Sequence, residues 1–195
     1  MTMSEYYDKY QKRGAIHWDW YEKGTQTWYK IIVDKIIEYY RSLPSGTVLD
    51  IGCGDGLVDA KLASFHKVIG IDIDPIGIKL AREKTMRRNK KPTFFVMDFD
   101  NLPKIEQKSD YILFLNTIEH LKNPFKVLRQ LIRMNKKLKN ILIITDYPSD
   151  RPGRHHAQEF KPILLRNKCK SLNWKIARFE TGVPEFHGIK LTRKK

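Results

Sequence analysis

The sequence predicts an α/β protein: one seven-stranded, mostly parallel sheet with helices on both faces, closed by a C-terminal antiparallel hairpin. Three observations carry that expectation. Short continuous apolar runs alternate with helical segments between residues 47 and 145, as parallel strands covered on both faces require. The first run, Thr47-Val48-Leu49, leads through Asp50-Ile51-Gly52-Cys53-Gly54-Asp55-Gly56 into a helix start at Leu57, a strand, glycine turn and helix in succession. Two late β-like runs are joined by Gly182–Glu185, a short link with Gly and Pro that suits an antiparallel pair.

Each element has its own justification. Val48–Ile51 is a buried strand, followed by a helix over 57–65. Val68–Ile71 leads to Asp74-Pro75, where Asp caps and Pro opens a helix running to about residue 89. Thr93–Met97, Tyr111–Leu115 and Ile141–Thr145 are further strands, and a helix over 124–135 separates the last two. Phe160–Ser171 reads as helix, then Trp174–Thr181 and Phe186–Thr192 as the hairpin. No internal repeat or low-complexity tract interrupts the pattern. One domain over residues 1–195 is expected, with a cap or lid over 1–46 and a ligand-binding core over 47–195.

The first 46 residues differ in texture. They hold ten of the 22 aromatic residues, and the spacing Trp28, Ile32, Ile36, Tyr40 marks one face of an amphipathic helix that packs on the sheet. Tyr6 to Tyr21 has no clean period and is expected to form a lid or an edge cover.

Composition narrows the class. No apolar run approaches membrane-spanning length, and the first ten residues lack the layout of a secretory signal. Cys53 and Cys169 are far apart with no ligand spacing, which predicts reduced thiols in a cytoplasmic protein. The net charge is +15, yet residues 1–46 are nearly neutral, with seven Lys/Arg and six Asp/Glu. The excess lies in the core, dense at Arg82–Lys91, Lys126–Lys139, Arg151–Lys170 and Arg193–Lys195. Lys-rich solvated helix faces account for it, and a nucleic-acid partner is the alternative.

Three glycines at alternate positions let a ligand approach the backbone. A phosphate-gripping loop needs Lys then Ser or Thr after its last Gly, and Leu57-Val58 stands there instead. A dinucleotide fingerprint needs a third Gly where Leu57 falls, although Asp72 lies where a ribose-binding acid belongs. Asp50, Gly52, Gly54 and Gly56 together resemble the first motif of the class I S-adenosylmethionine-dependent methyltransferases, a Rossmann-like family. The resemblance runs over residues 46–195 and is strongest to the ubiquinone-biosynthesis O-methyltransferases and relatives acting on sugars. It implies S-adenosyl-L-methionine as cofactor. It places Asp72 on the ribose hydroxyls, Asp98 on the adenine amino group, and Ile73 and Phe99 beside the adenine. Cys53 belongs to the same loop, and Ser109–Asn116 with Thr117-Ile118-Glu119-His120-Leu121 resembles the fourth-strand motif, so Asn116 joins the cofactor set.

Methyl transfer to a hydroxyl needs a general base, whereas an amine or thiolate acceptor manages without one. The loop Asp146–Glu159 follows the fifth strand on the ligand rim, and His155 and His156 are the candidate bases in it, with His120 as rival. No fixed ligand spacing marks a metal site. His17, Trp18, Tyr21 and Tyr147 are the expected acceptor contacts, while His66 and His187 have no context that singles them out. The leading expectation is an enzyme methylating a small or medium-sized acceptor at oxygen, of sugar, quinone or phenol type. An RNA methyltransferase using the basic surface is the alternative, and a non-catalytic cofactor-binding subunit is a further one.

Overall fold

The computed structural model describes residues 9–98, 108–146, 166–167, 169–170 and 172–194. Within them, one sheet contains β1 (Thr47–Ile51), β2 (Lys67–Asp72), β3 (Thr93–Val96), β4 (Tyr111–Leu115), β5 (Asn140–Asp146), β6 (Lys175–Phe179) and β7 (Phe186–Thr192). Their order is β3-β2-β1-β4-β5-β7-β6. The first five are mutually parallel, and β7 pairs antiparallel with both β5 and β6. The hairpin is therefore not simply appended. Its second strand is inserted beside β5, and its first strand becomes the edge.

Helices cover both faces because alternate strand residues point to opposite sides. On one side Val48, Leu113, Leu142 and Ile144 pack with α2 (Thr27–Arg41) and α3 (Leu57–Leu62). On the other, Leu49, Ile112, Ile141 and Ile143 pack with α5 (Pro124–Met134). A smaller cluster joins Cys53 and Phe94 to Ile78 and Ala81 of α4 (Pro75–Thr85). α1 (Ile16–Glu22) lies against α2. The buried stripe of α2 is Tyr29, Ile32, Val33, Ile36 and Tyr40. Its centre sits one residue beyond Trp28, which remains half-buried. Tyr40 hydroxyl donates to the Ile112 carbonyl at 3.1 Å, and His66 Nε2 lies 2.8 Å from the Tyr40 carbonyl. His66 is thus a structural histidine.

Two helices stop earlier than their patterns suggest. α4 ends at Thr85 rather than 89, where the Thr85 hydroxyl donates to the Ala81 carbonyl and competes with the helical amide. α3 closes at Leu62 and continues to Phe65 as a turn. The predicted helix 160–171 lies largely outside the described residues; 166–167 and 169–170 are helical. Cys53 and Cys169 are free and buried. Among the described residues no helix is long and apolar enough to cross a membrane.

At the start of α4, Asp74 Oδ1 accepts from the Ile76 and Gly77 amides at 2.8 and 3.3 Å, with Pro75 in the first turn. Asp74→Ala leaves those donors unsatisfied and is expected to cost about 1–2 kcal/mol. Chemical denaturation at constant m-value checks this.

Candidate active site

The strand order reverses between β1 and β4, and in such sheets ligands bind beyond the carboxyl ends of the strands at that point. The glycine turn leaves β1 at this position. Gly52, Gly54 and Gly56 have φ of 80°, 56° and 72°, the left-handed region that L side chains avoid. Space is as restrictive as conformation. A Cβ at Gly52 would collide with the Thr117 hydroxyl, and one at Gly54 with the Tyr10 hydroxyl.

Asp72, at the end of β2, organises the turn. One carboxylate oxygen accepts from the Gly54 amide at 2.8 Å and the other from the Asp74 amide at 2.9 Å. Burial raises its pKa, and those two amides oppose the rise. Each oxygen keeps acceptor capacity for a further donor. Ile73 is half-buried beside it, and Asp98 is half-buried just past β3. Asn116 follows β4 with φ of 49°, an uncommon conformation for a residue other than glycine, and its buried Oδ1 has no hydrogen-bond partner. The structure thus brings Asp72, Ile73, Asp98 and Asn116 to the strand ends around the glycine turn. Cys53 points into the cluster with Ile78 and Phe94, and burial holds its thiol well above the usual range.

Two acids that the motif leaves variable prove structurally central. Asp59, on the first turn of α3, is fully buried against Asp50, which is itself buried. Burial pushes both carboxyls upward, Asp50 to about 7 with the nearby Asp72 charge adding to the rise, and Asp59 also through repulsion from Asp50. Asp55 is buried as well, and it anchors the N-terminal segment. Its carboxylate accepts from the His17 amide at 2.8 Å and lies 3.0 Å from His17 Nδ1, while the Trp18 indole donates to its carbonyl at 2.9 Å. The Lys9 ammonium donates to His17 Nε2 at 3.1 Å, which assigns the proton to Nδ1. Neither Asp55 nor Asp59 belongs to the glycine pattern; an acid between the last two glycines is the one sequence signal for the first.

The anchored segment lays aromatic rings along the rim. Tyr10 meets His17 at 5.8 Å between ring centroids, and His17 stacks on Tyr29 at 5.2 Å. Trp20 contacts His17, Tyr29 and Trp28, and Trp28 stacks on Phe186 at 5.0 Å with a 13° interplanar angle. Rings therefore run from Gly54 to the first residue of β7. Trp18 and Tyr21 take no part in this row. Trp18 is buried with its indole on the Asp55 carbonyl, and Tyr21 faces outward with its hydroxyl 2.6 Å from Asp34.

His187, unremarkable in the sequence, lies opposite Thr145 at the same rim because β7 enters beside the end of β5. Burial lowers its pKa to about 4, so the ring is neutral at pH 7. His120 is half-buried in the 3-10 turn Ile118–His120 after β4. Phe99, Tyr147, His155 and His156 lie outside the described residues.

Comparison with known proteins accords with this geometry. Residues 43–185 match a family model described as a methyltransferase domain. A ubiquinone biosynthesis O-methyltransferase of Coxiella burnetii is 28% identical over 96 residues, covering 49% of this chain and 41% of that protein. A ribosomal protein L11 methyltransferase of Burkholderia orbicola is 31% identical over 96 residues, covering 48% of this chain and 29% of its own length. The match to each spans less than half of the curated relative. Magnesium protoporphyrin IX methyltransferase from Synechocystis PCC 6803, solved with bound SAM, superposes with a TM-score of 0.73 at 19% identity, over 98% of this chain and 96% of its own.

Two outcomes test the buried acids. Because folding raises the pKa of Asp50 from 3.8 to about 7, the protonated pair contributes stability fully below 3.8 that is lost as pH rises through 7. Asp59→Asn removes one buried carboxyl and with it the repulsion between the two, so thermal melting should rise by about 3–8 °C at pH 8 and stay near wild type at pH 5. Asp55→Ala should speed amide exchange over residues 16–22 by about 10–100-fold while leaving β1 and β4 protected. Burial and the adjacent Lys9 lower the His17 pKa below 6.5 against the opposing pull of Asp55, so the stability of burying the neutral ring is full above that value and is lost as pH falls below it. The same exchange measurement across pH 5–8 follows it. With this fold, this glycine turn and this family match, the chain belongs to the methyltransferase-domain family, which uses S-adenosylmethionine.

Proposed function

We propose that this chain transfers a methyl group from S-adenosylmethionine to a small or medium-sized acceptor, at an oxygen of sugar, quinone or phenol type. The observation that carries the reading is one arrangement. A glycine turn ringed by Asp50, Asp55, Asp59, Asp72 and Asp74 adjoins a row of aromatic rings that ends at Phe186.

The donor set suits the cofactor. Its ammonium and sulfonium are cationic, and buried carboxylates in an otherwise basic chain present the opposite sign. The remaining acceptor capacity of Asp72 serves the two ribose hydroxyls, Asp98 the adenine amino group, and Ile73 an apolar face of the base. Asn116 Oδ1 provides a further acceptor on the rim. When bound, the cofactor supplies an activated methyl on a sulfonium. The chain's work is then to hold donor and acceptor in line, which accounts for about 7–11 kcal/mol of a two-reactant barrier. Tyr10 and the ring row close over the glycine turn and exclude water.

The aromatic wall supports a planar or ring-shaped acceptor, since ring faces suit both apolar rings and sugar C–H faces. The curated relative named for ubiquinone O-methylation points the same way, although another relative is named for ribosomal protein L11. A hydroxyl acceptor requires proton removal. His156, His155 and His120 are the candidates from sequence, and His187 joins them because it is neutral and at the rim.

Calorimetry with S-adenosylmethionine tests the cofactor site: Asp72→Ala should weaken binding about 100-fold, the loss of two hydrogen bonds to a charged group. His156→Ala should leave that affinity intact and slow transfer by 10²–10⁴-fold if it is the base. Methyl-labelled cofactor offered with quinone-like phenols, sugar nucleotides and RNA in parallel identifies the acceptor. Label appearing only in RNA would overturn the small-molecule reading.

A further inference from the structure

The outer face carries a feature that the methyl-transfer site does not use. Between α2, the end of α3 and the residues after α4 runs a groove with a cavity of about 400 Å³, lined among others by Tyr21, Arg41, Lys61, Phe65 and Arg88. A second cavity of about 320 Å³ meets it at Ser64 and Arg88 and continues to Lys90. Arg41 is the last residue of α2, Lys61 lies in the last turn of α3 with Phe65 just after it, and Arg88 lies beyond α4 toward β3. The groove is therefore at the opposite end of α3 from the glycine turn.

Its cations lie on aromatic rings. The Arg41 guanidinium is 4.8 Å from the Phe65 ring centroid, the Lys61 ammonium 4.6 Å from Tyr21, and the Arg88 guanidinium 5.6 Å from Trp18. Two carboxylates also line the groove, but each has a cation of its own. Asp34 is held by Lys30 at 2.7 Å and by the Tyr21 hydroxyl, and Glu38 by Lys35 at 2.9 Å. Arg41, Lys61 and Arg88 form no ion pair among the described residues. Arg88 and Lys90 each donate to a helix-end carbonyl, Ala60 at 3.4 Å and Ser64 at 3.1 Å, which fixes their place along the groove and leaves further donors outward.

We propose that this groove is a docking surface for single-stranded nucleic acid. Spaced cations held in place over ring faces suit a phosphodiester strand: phosphates pair with the ammonium and guanidinium groups, and bases stack on the outward guanidinium planes. A free phosphate would occupy one of the cavities and leave the other cations unmatched. A membrane surface would call for apolar side chains projecting outward, whereas Phe65 and Tyr21 lie beneath the cations. The chain's charge of +15 supplies the long-range attraction. The strand lies along the outer face and need not be the methyl acceptor, so this inference stands apart from the proposed acceptor chemistry.

The experiment is anisotropy of a labelled 12-nucleotide oligouridylate against the full chain at 50 and 200 mM salt. Lys61→Glu/Arg88→Glu is compared with Lys126→Glu/Arg129→Glu, an equal charge change on α5 across the sheet. The groove variant should lose at least 10-fold in affinity at 50 mM salt and the control less than 3-fold. The slope of log affinity against log salt should fall by about 1.4 in the groove variant, for two phosphate contacts. Because Arg88 also bonds a carbonyl, Arg41→Glu/Lys61→Glu is measured alongside, with melting and cofactor affinity confirming that both variants are folded. Equal losses in groove and control variants, or no binding at 50 mM salt, overturn the proposal. So does complete displacement by millimolar inorganic phosphate, or preferential binding to phosphatidylserine vesicles.

Discussion

The Asp72 carboxylate holds the rim of this molecule together. It accepts from Gly54 in the turn after β1 and from Asp74 in the turn after β2, so the ends of two adjacent strands share one buried anion. The glycine turn has its left-handed geometry against that anchor, and α4 starts where the second amide points. A chain without it would keep the sheet, which pairs through its own ladder, and lose the relation between the two turns. The binding surface depends on that relation, because the amides and acids of both turns face the same space.

The distribution of charge follows from the same place. A chain with 15 excess positive charges keeps its buried carboxylates next to the glycine turn and its cations outside. Burying like charges together is costly, and the structure offsets the cost differently at each acid. Asp72 uses backbone amides, Asp55 uses His17, and burial shifts Asp50 and Asp59 toward their protonated forms. The last arrangement is sensitive to pH near neutrality. A cationic ligand would relieve all of them in part, and binding and local stability are therefore linked in this region.

Much of the sheet was legible because buried parallel strands are short, apolar and punctuated. The glycine turn and the acid at the end of β2 were legible because backbone geometry and ligand approach demand them. Other features depend on distant partners and leave no local trace. Asp59 reads as an ordinary polar helix residue until α3 is docked on β1. β7 reads as the second strand of a hairpin, and nothing near it reveals that it inserts beside β5 and carries His187 to the rim. Trp18 and Tyr21 look equivalent to Trp20 in an aromatic-rich segment. Only the direction of α1 separates the ring that joins the row from those that turn to the core or the outer face.

That insertion of β7 also bears on the order in which the molecule can assemble. The stack of Trp28 on Phe186 joins residues about 160 positions apart, so the wall opposite the glycine turn cannot close until nearly all of the chain is available. At synthesis rates of about 5–20 residues per second, the interval between those two rings is roughly 8–30 s. Throughout it α2 presents Trp28 without its partner, and over about its last 40 residues β5 presents an unpaired edge where β7 will lie. Long-range pairings of this kind slow folding and expose sticky edges. The glycine-turn half of the rim, built from β1 to β3, can thus exist before the half that carries Phe186 and His187 does. The last strand to arrive makes the site whole.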